Sequence, residues 1–144
     1  MTQTNLTPHF TLEELTATSH REFDNTPDEA VKANLIRLAK FLEEVKETLG
    51  GKPVMVTSGY RSEAVNRSVG SKNTSAHRLG LAADLKIPGM TPDEVVTAIR
   101  VSELEFDQLI REFDSWAHVA IAPEGKAGRR QVLIIDKAGT RPYQ

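Results

Sequence analysis

The stretch Phe106-Asp107-Gln108-Leu109-Ile110-Arg111-Glu112-Phe113, the pair Asp114-Ser115, and then Trp116 followed by Ala117-His118-Val119-Ala120-Ile121-Ala122 decides how this chain folds. Phe106 to Phe113 and Ala117 to Ala122 read as strands, and Asp114-Ser115 between them is turn chemistry. Downstream, a Gly-rich connection from Gly125 to Gly128 leads to another strand, Gln131 to Asp136. Upstream, Pro53 to Thr57 and Leu81 to Ile87 have the apolar runs of buried strands. Helix signals concentrate earlier in the chain. Thr11 and Glu14 form a Thr-x-x-Glu capping box for a short helix to Leu15, after an extended arm over residues 1–10. In Thr26-Pro27-Asp28-Glu29, Thr26 reads as N-cap, Pro27 as the first helical residue and Glu29 as the side chain reaching back. Val31, Leu35, Leu38, Leu42, Val45 and Leu49 then recur as one apolar stripe that stops at Gly50-Gly51. Ser62 caps a short helix to about Val69, and Thr91-Pro92-Asp93-Glu94 opens another through Val95, Val96 and Ile99. The expectation is α+β: helices in the N-terminal half packed on a small, mainly antiparallel sheet.

At 144 residues the chain is read as one domain, with residues 123–144 as a C-terminal strand and tail. Apolar residues at 39% and charged residues at 26% match globular proteins and exclude disordered or collagen-like classes. A net charge of -2 leaves no basic field, so nucleic acid is not an expected partner. No apolar run reaches the roughly 18 residues of a membrane span, and Met1 to His20 has no signal-peptide pattern. The expectations are synthesis in the cytoplasm, no membrane insertion and a monomer. Cysteine is absent, which removes disulfides, thiolate zinc sites and thiol catalysis. With histidine only at positions 9, 20, 77 and 118, few side chains remain for any metal site.

The chemistry concentrates in Ser75-Ala76-His77-Arg78-Leu79-Gly80-Leu81-Ala82-Ala83-Asp84 and in Trp116-Ala117-His118. Two histidine nitrogens and one carboxylate oxygen are a known three-ligand set for catalytic zinc, which leaves a fourth position for water with its pKa lowered to about 7. Strand alternation puts Asp84 on one face with Ala82, and His118 on one face with Ala120, small neighbours that leave room for a metal and a substrate. Ala83, Leu85, Ile87, Val119 and Ile121 then face the core. Burying Asp84 unpaired among these residues costs several kcal/mol, so it requires a cation, a hydrogen-bond network or a metal.

The pattern Ser-x-His-x-x-Gly-x-Ala-x-Asp from Ser75 to Asp84 is preceded by Ser58-Gly59-Tyr60-Arg61-Ser62 and Asn66, and followed by Trp116-Ala117-His118-Val119. Together these motifs resemble the bacterial and phage cell-wall zinc peptidases of the D-alanyl-D-alanine carboxypeptidase group, which includes L-alanyl-D-glutamate endopeptidases and D-Ala-D-Ala dipeptidases. His9-Phe10-Thr11-Leu12-Glu13-Glu14-Leu15 and Asn25-Thr26-Pro27 are similar to the same subgroup, so the resemblance runs from about His9 to Ala122. It implies a Hedgehog/D-Ala-D-Ala peptidase-like fold and one Zn2+ per chain on His77, Asp84 and His118. It also implies that Arg61 holds substrate and the developing oxyanion, that Ser75 hydrogen-bonds substrate, and that the partner is the peptidoglycan stem peptide.

The general base departs from the family pattern. Many members carry Asp or Glu three residues before the last histidine, where this chain has Ser115. Glu112 and Asp114 are the nearest carboxylates. A three-residue loop, Asp114 to Trp116, would set Glu112 directly across from His118, whereas a two-residue loop would put Arg111 there and turn Glu112 away. A Glu-Phe shortly before Trp-x-His is similar to the subgroup and favours Glu112, with Asp114 as runner-up. The function expected is a zinc-dependent peptidoglycan peptidase, leaning to an L-alanyl-D-glutamate endopeptidase that acts on the wall after release. The alternatives are a D-Ala-D-Ala carboxypeptidase and a non-catalytic zinc-containing cell-wall binding module.

Overall fold

The computed structural model describes residues 4–18, 22–69 and 76–143. Two short strands, β1 (Asn5–Thr7) and β2 (Phe10–Thr11), pair antiparallel and lead into α1 (Leu12–Leu15). Helix α2 (Glu29–Thr48) is followed by β3 (Met55–Ser58), α3 (Glu63–Ser68), a 3-10 turn (Ala76–Leu79) and β4 (Ala82–Lys86). Helix α4 (Pro92–Arg100) then precedes β5 (Gln108–Glu112), β6 (Trp116–Ala120), β7 (Gln131–Asp136) and β8 (Gly139–Pro142). The class is α+β, and the main sheet has six strands in the order β3-β4-β6-β5-β7-β8. Every neighbouring pair is antiparallel except β5 and β7, so the sheet is mixed.

Local chemistry accounts for most boundaries. Two of the three expected Thr-x-x-Glu capping boxes form: Thr11 with Glu14, and Thr91 with Glu94 behind Pro92. The start of α2 differs from the sequence reading. Asp28 is the N-cap, accepting from the Val31 N–H, while Thr26 gives both its N–H and its hydroxyl to the Asp24 carboxylate. A charged acceptor captures Thr26 first and leaves capping to the next suitable side chain. The segment read as an extended arm is not featureless, because Asn5–Thr7 folds back on Phe10–Thr11 and Phe10 enters the core.

The hairpin register is also corrected. Ile110 lies opposite His118, and Glu112 lies opposite Trp116. The loop is Phe113-Asp114-Ser115: Phe113 and Asp114 take left-handed φ values of 53° and 54°, and the Ser115 N–H closes on the Glu112 carbonyl at 2.9 Å. Both central residues left-handed is the geometry of a type I′ turn, whose twist suits a hairpin. The shift from the expected register is two residues, so side-chain parity is kept and Glu112 still shares a face with His118.

One apolar cluster draws on Leu35, Leu38, Leu42 and Val45 of α2, Leu85 of β4 and Val119 of β6. Ala83, Ile87, Ala117 and Ile121 belong to it too, which leaves the opposite face of β4 and β6 to the polar residues. At the exit of β3 the backbone passes very close to α1. A Cβ on Gly59 would lie 2.4 Å from the Leu15 carbonyl oxygen, the same atom that accepts the Tyr60 N–H at 2.7 Å. Gly59→Ala is therefore expected to destabilise the protein by about 1–3 kcal/mol through a clash that only backbone movement relieves. Urea denaturation reads this, and an unchanged midpoint would mean that the Gly59 segment is free to shift.

Candidate metal centre

Asp84 and His118 are direct cross-strand partners on β4 and β6. His77 comes from the 3-10 turn just before β4, and Gly80, at φ 75°, reverses the chain between them. A side chain at Gly80 would meet Val31 and Leu35 of α2, so the His77 turn sits directly on that helix. Apart from Asn66, these three are the only buried polar or charged side chains among the described residues. Their ligating atoms lie within 4.8 Å of one another. His77 Nε2 is 3.3 Å and His118 Nδ1 is 3.1 Å from the same Asp84 Oδ1.

The donor set fits a cation. His77 Nδ1 lies 2.8 Å from the Gly59 carbonyl oxygen, which can only accept, so Nδ1 carries the proton in that bond and Nε2 is turned toward Asp84. An imidazole electron pair facing a carboxylate is repulsive by itself, and a divalent cation converts the pair into ligands. The Gly59 carbonyl thus plays the orienting part that supporting groups play around metal-bound histidines. Burial alone would raise the Asp84 pKa, but the hydrogen bond with His118 holds it well below the usual carboxylate range. It is a ready anionic ligand.

Three further side chains face this group. Glu112 Oε1 lies 3.9 Å from His118 Nδ1, and the Trp116 indole N–H donates to Glu112 Oε2 at 3.0 Å. Burial, and then the negative charge of Asp84, raise the Glu112 pKa above the ordinary value despite His118, Trp116 and Arg61. Arg61 is half-buried in the same cleft, where burial lowers its pKa and Asp84 and Glu112 pull it back up. Its backbone N–H donates to the His77 carbonyl at 3.0 Å, lacing the Arg61 loop to the His77 turn. The buried Arg61 Nε has no hydrogen-bond partner among the described residues. All these groups open into one cleft of about 750 Å³ that runs from Arg61 and His77 to Leu133 and Thr140.

The structure brings His77, Asp84, His118, Glu112 and Arg61 together. Asp114 is exposed at the tip of the turn and does not line the cleft. Ser75 lies outside the described residues, as does His20. His9 is spoken for elsewhere, its Nδ1 lying 2.7 Å from Glu43 Oε1. Trp116 had no role of its own in the sequence reading, although its position two before His118 on a strand already puts both on one face. The Gly59 carbonyl carries no side-chain signal at all.

The chain matches the Peptidase M15 family over residues 8–120. It is also similar to a zinc D-Ala-D-Ala carboxypeptidase from Streptomyces albus G, at 37% identity over 54 residues, or 38% of this chain. The match spans 21% of that relative's length. The chain belongs to the Peptidase M15 family.

Proposed function

We propose that this protein hydrolyses a stem-peptide bond of peptidoglycan, at the L-alanyl-D-glutamate position, with zinc held by His77, Asp84 and His118. The observation that carries the reading is the buried His-Asp-His group with Glu112 and Arg61 facing it in one cleft. Zinc, when bound, supplies a Lewis acid for the scissile carbonyl and lowers the pKa of water at an open position. Glu112 accepts a proton from the attacking water and returns it to the leaving amine, and its raised pKa brings it toward the pH at which a base works best. Arg61 offers its guanidinium to the substrate carbonyl or a substrate carboxylate in a half-buried setting where such contacts are strong. Ser75, from the sequence motif, is assigned a hydrogen bond to substrate. Behind the site, the reading has the N-terminal helices packed on the sheet, supported by the apolar cluster that α2 shares with β4 and β6.

Trp116 acts as a positioning residue, since it occupies Glu112 Oε2 and leaves Oε1 toward His118. Trp116→Phe is expected to lower kcat about 10-fold with KM nearly unchanged and zinc retained, because only the orientation of the base is lost. A change confined to KM would remove that role from Trp116.

A second reading, removal of a terminal D-alanine, is favoured by the name of the Streptomyces albus G relative. Mass spectrometry of purified peptidoglycan after digestion separates the readings. Endopeptidase action yields peptides with a new amino-terminal glutamate, and carboxypeptidase action yields stems shorter by one alanine. Zinc-loaded protein that produces neither would leave a non-catalytic cell-wall binding module.

A further inference from the structure

Phe113 stands where a phenylalanine is poorly suited. It is the first central residue of the turn between β5 and β6, at φ 53°, a left-handed conformation that is costly for an L side chain and that such turns give to Gly, Asn or Asp. Its side chain is 51% exposed and lies outside the apolar cluster, so burial does not offset that cost. The backbone around it is nevertheless fixed. The Phe113 N–H donates to the Ile135 carbonyl at 2.8 Å, and the Phe113 carbonyl accepts from the Ser115 hydroxyl at 3.2 Å. A strained residue that its surroundings hold in place beside a reactive site points to a task in that site.

The ring contact identifies the task. The tight turn returns the chain so that Phe113 sits beside Trp116, with ring centroids 6.3 Å apart and planes tilted by 49°, inside the range of attractive aromatic pairs. Trp116 is half-buried, lines the cleft and gives its indole N–H to Glu112 Oε2 at 3.0 Å. Phe113 itself does not line the cleft, so it reaches the chemistry through Trp116 and not by touching substrate. We propose that Phe113 is a positioning residue whose ring holds the Trp116 indole, and through it the Glu112 carboxylate, in the working orientation. A residue chosen for the turn alone would be Asn or Gly, and one chosen for stability would be buried. The inference rests on the peptidase reading above and adds the support behind its base.

The test uses zinc-loaded protein and soluble peptidoglycan fragments that carry whole stem peptides. Phe113→Asn, whose new side chain suits a left-handed turn, is expected to lower kcat about 5-fold, the size that loss of one aromatic pair explains. KM should stay within about 2-fold, and the urea midpoint should not fall. Trp116 is the only tryptophan of the chain, so its fluorescence reports on the contact. In Phe113→Asn the emission should move to the red and be quenched more readily by acrylamide. Phe113→Tyr, which keeps the ring, should restore both rate and emission. In a Trp116→Phe background, where no indole N–H holds Glu112, Phe113→Asn should cost less than about 2-fold further. A loss of full size in that background would overturn the inference, and so would an unchanged kcat or a change confined to KM. A lowered urea midpoint with unmoved emission would overturn it too, by making the effect one of folding. Each of those results leaves the peptidase reading intact, whereas wild-type protein that cuts no fragment would overturn both.

Discussion

Glu112→Gln is expected to lower kcat by about 100- to 10,000-fold while one zinc per chain stays bound, the range that a positioned general base contributes. The amide keeps the shape of the side chain and still accepts the Trp116 indole N–H through its oxygen, but it cannot take a proton from water. Glu112 belongs on β5, opposite Trp116 rather than His118, so it reaches the site diagonally and stands outside the ligand group itself. Zinc content should therefore not follow activity. The measurement is single-turnover hydrolysis alongside metal analysis of the same sample. Normal turnover in this variant would remove Glu112 from proton transfer, and a loss of zinc would make it a ligand. Asp114 offers no rescue, because it is exposed at the turn and outside the cleft.

Asp84→Asn should have the second large effect, with zinc affinity falling more than about 100-fold and activity falling with it. Altering groups that merely support metal ligands costs about 10- to 100-fold, and Asp84 is placed to be a ligand itself. It is the one anion between two histidines, held in the charged form by its hydrogen bond with His118. A carboxamide is a poor zinc ligand, and zinc sites use carboxylate oxygen. Equilibrium dialysis against a zinc buffer checks this directly. Retained stoichiometric zinc in Asp84→Asn would show that the histidines recruit a different third ligand.

The sequence was most informative where one residue contradicted its surroundings. Asp84 among Ala83, Leu85 and Ile87 marks a charged group in a buried strand, and strand parity alone put it on the face opposite the core. His118 followed from the same alternation. Capping boxes at Thr11 and Thr91 were legible because both partners lie within one turn of chain. The hairpin register was less so. It depends on left-handed Phe113 and Asp114, and a phenylalanine in that conformation lacks the Gly or Asn signature by which such turns are read. Asp28 displaced Thr26 as N-cap because Asp24 competed for the threonine, a choice between neighbours of similar propensity. The contribution of Gly59 was hidden for another reason, since its carbonyl orients His77 and its missing side chain admits the Leu15 backbone, both contacts made across long stretches of chain.

Hydrolysis at this centre requires an open metal site with a base beside it. A crystal structure of the zinc-loaded protein, with anomalous scattering at the zinc edge, tests it most directly. One site per chain is expected, ligated by His77 Nε2, Asp84 and His118 Nδ1 at about 2.0–2.2 Å, with no fourth ligand from the chain and Glu112 outside bonding distance. Zinc at another position, or a closed site completed by Glu112, would rule out this centre as the place where water is activated.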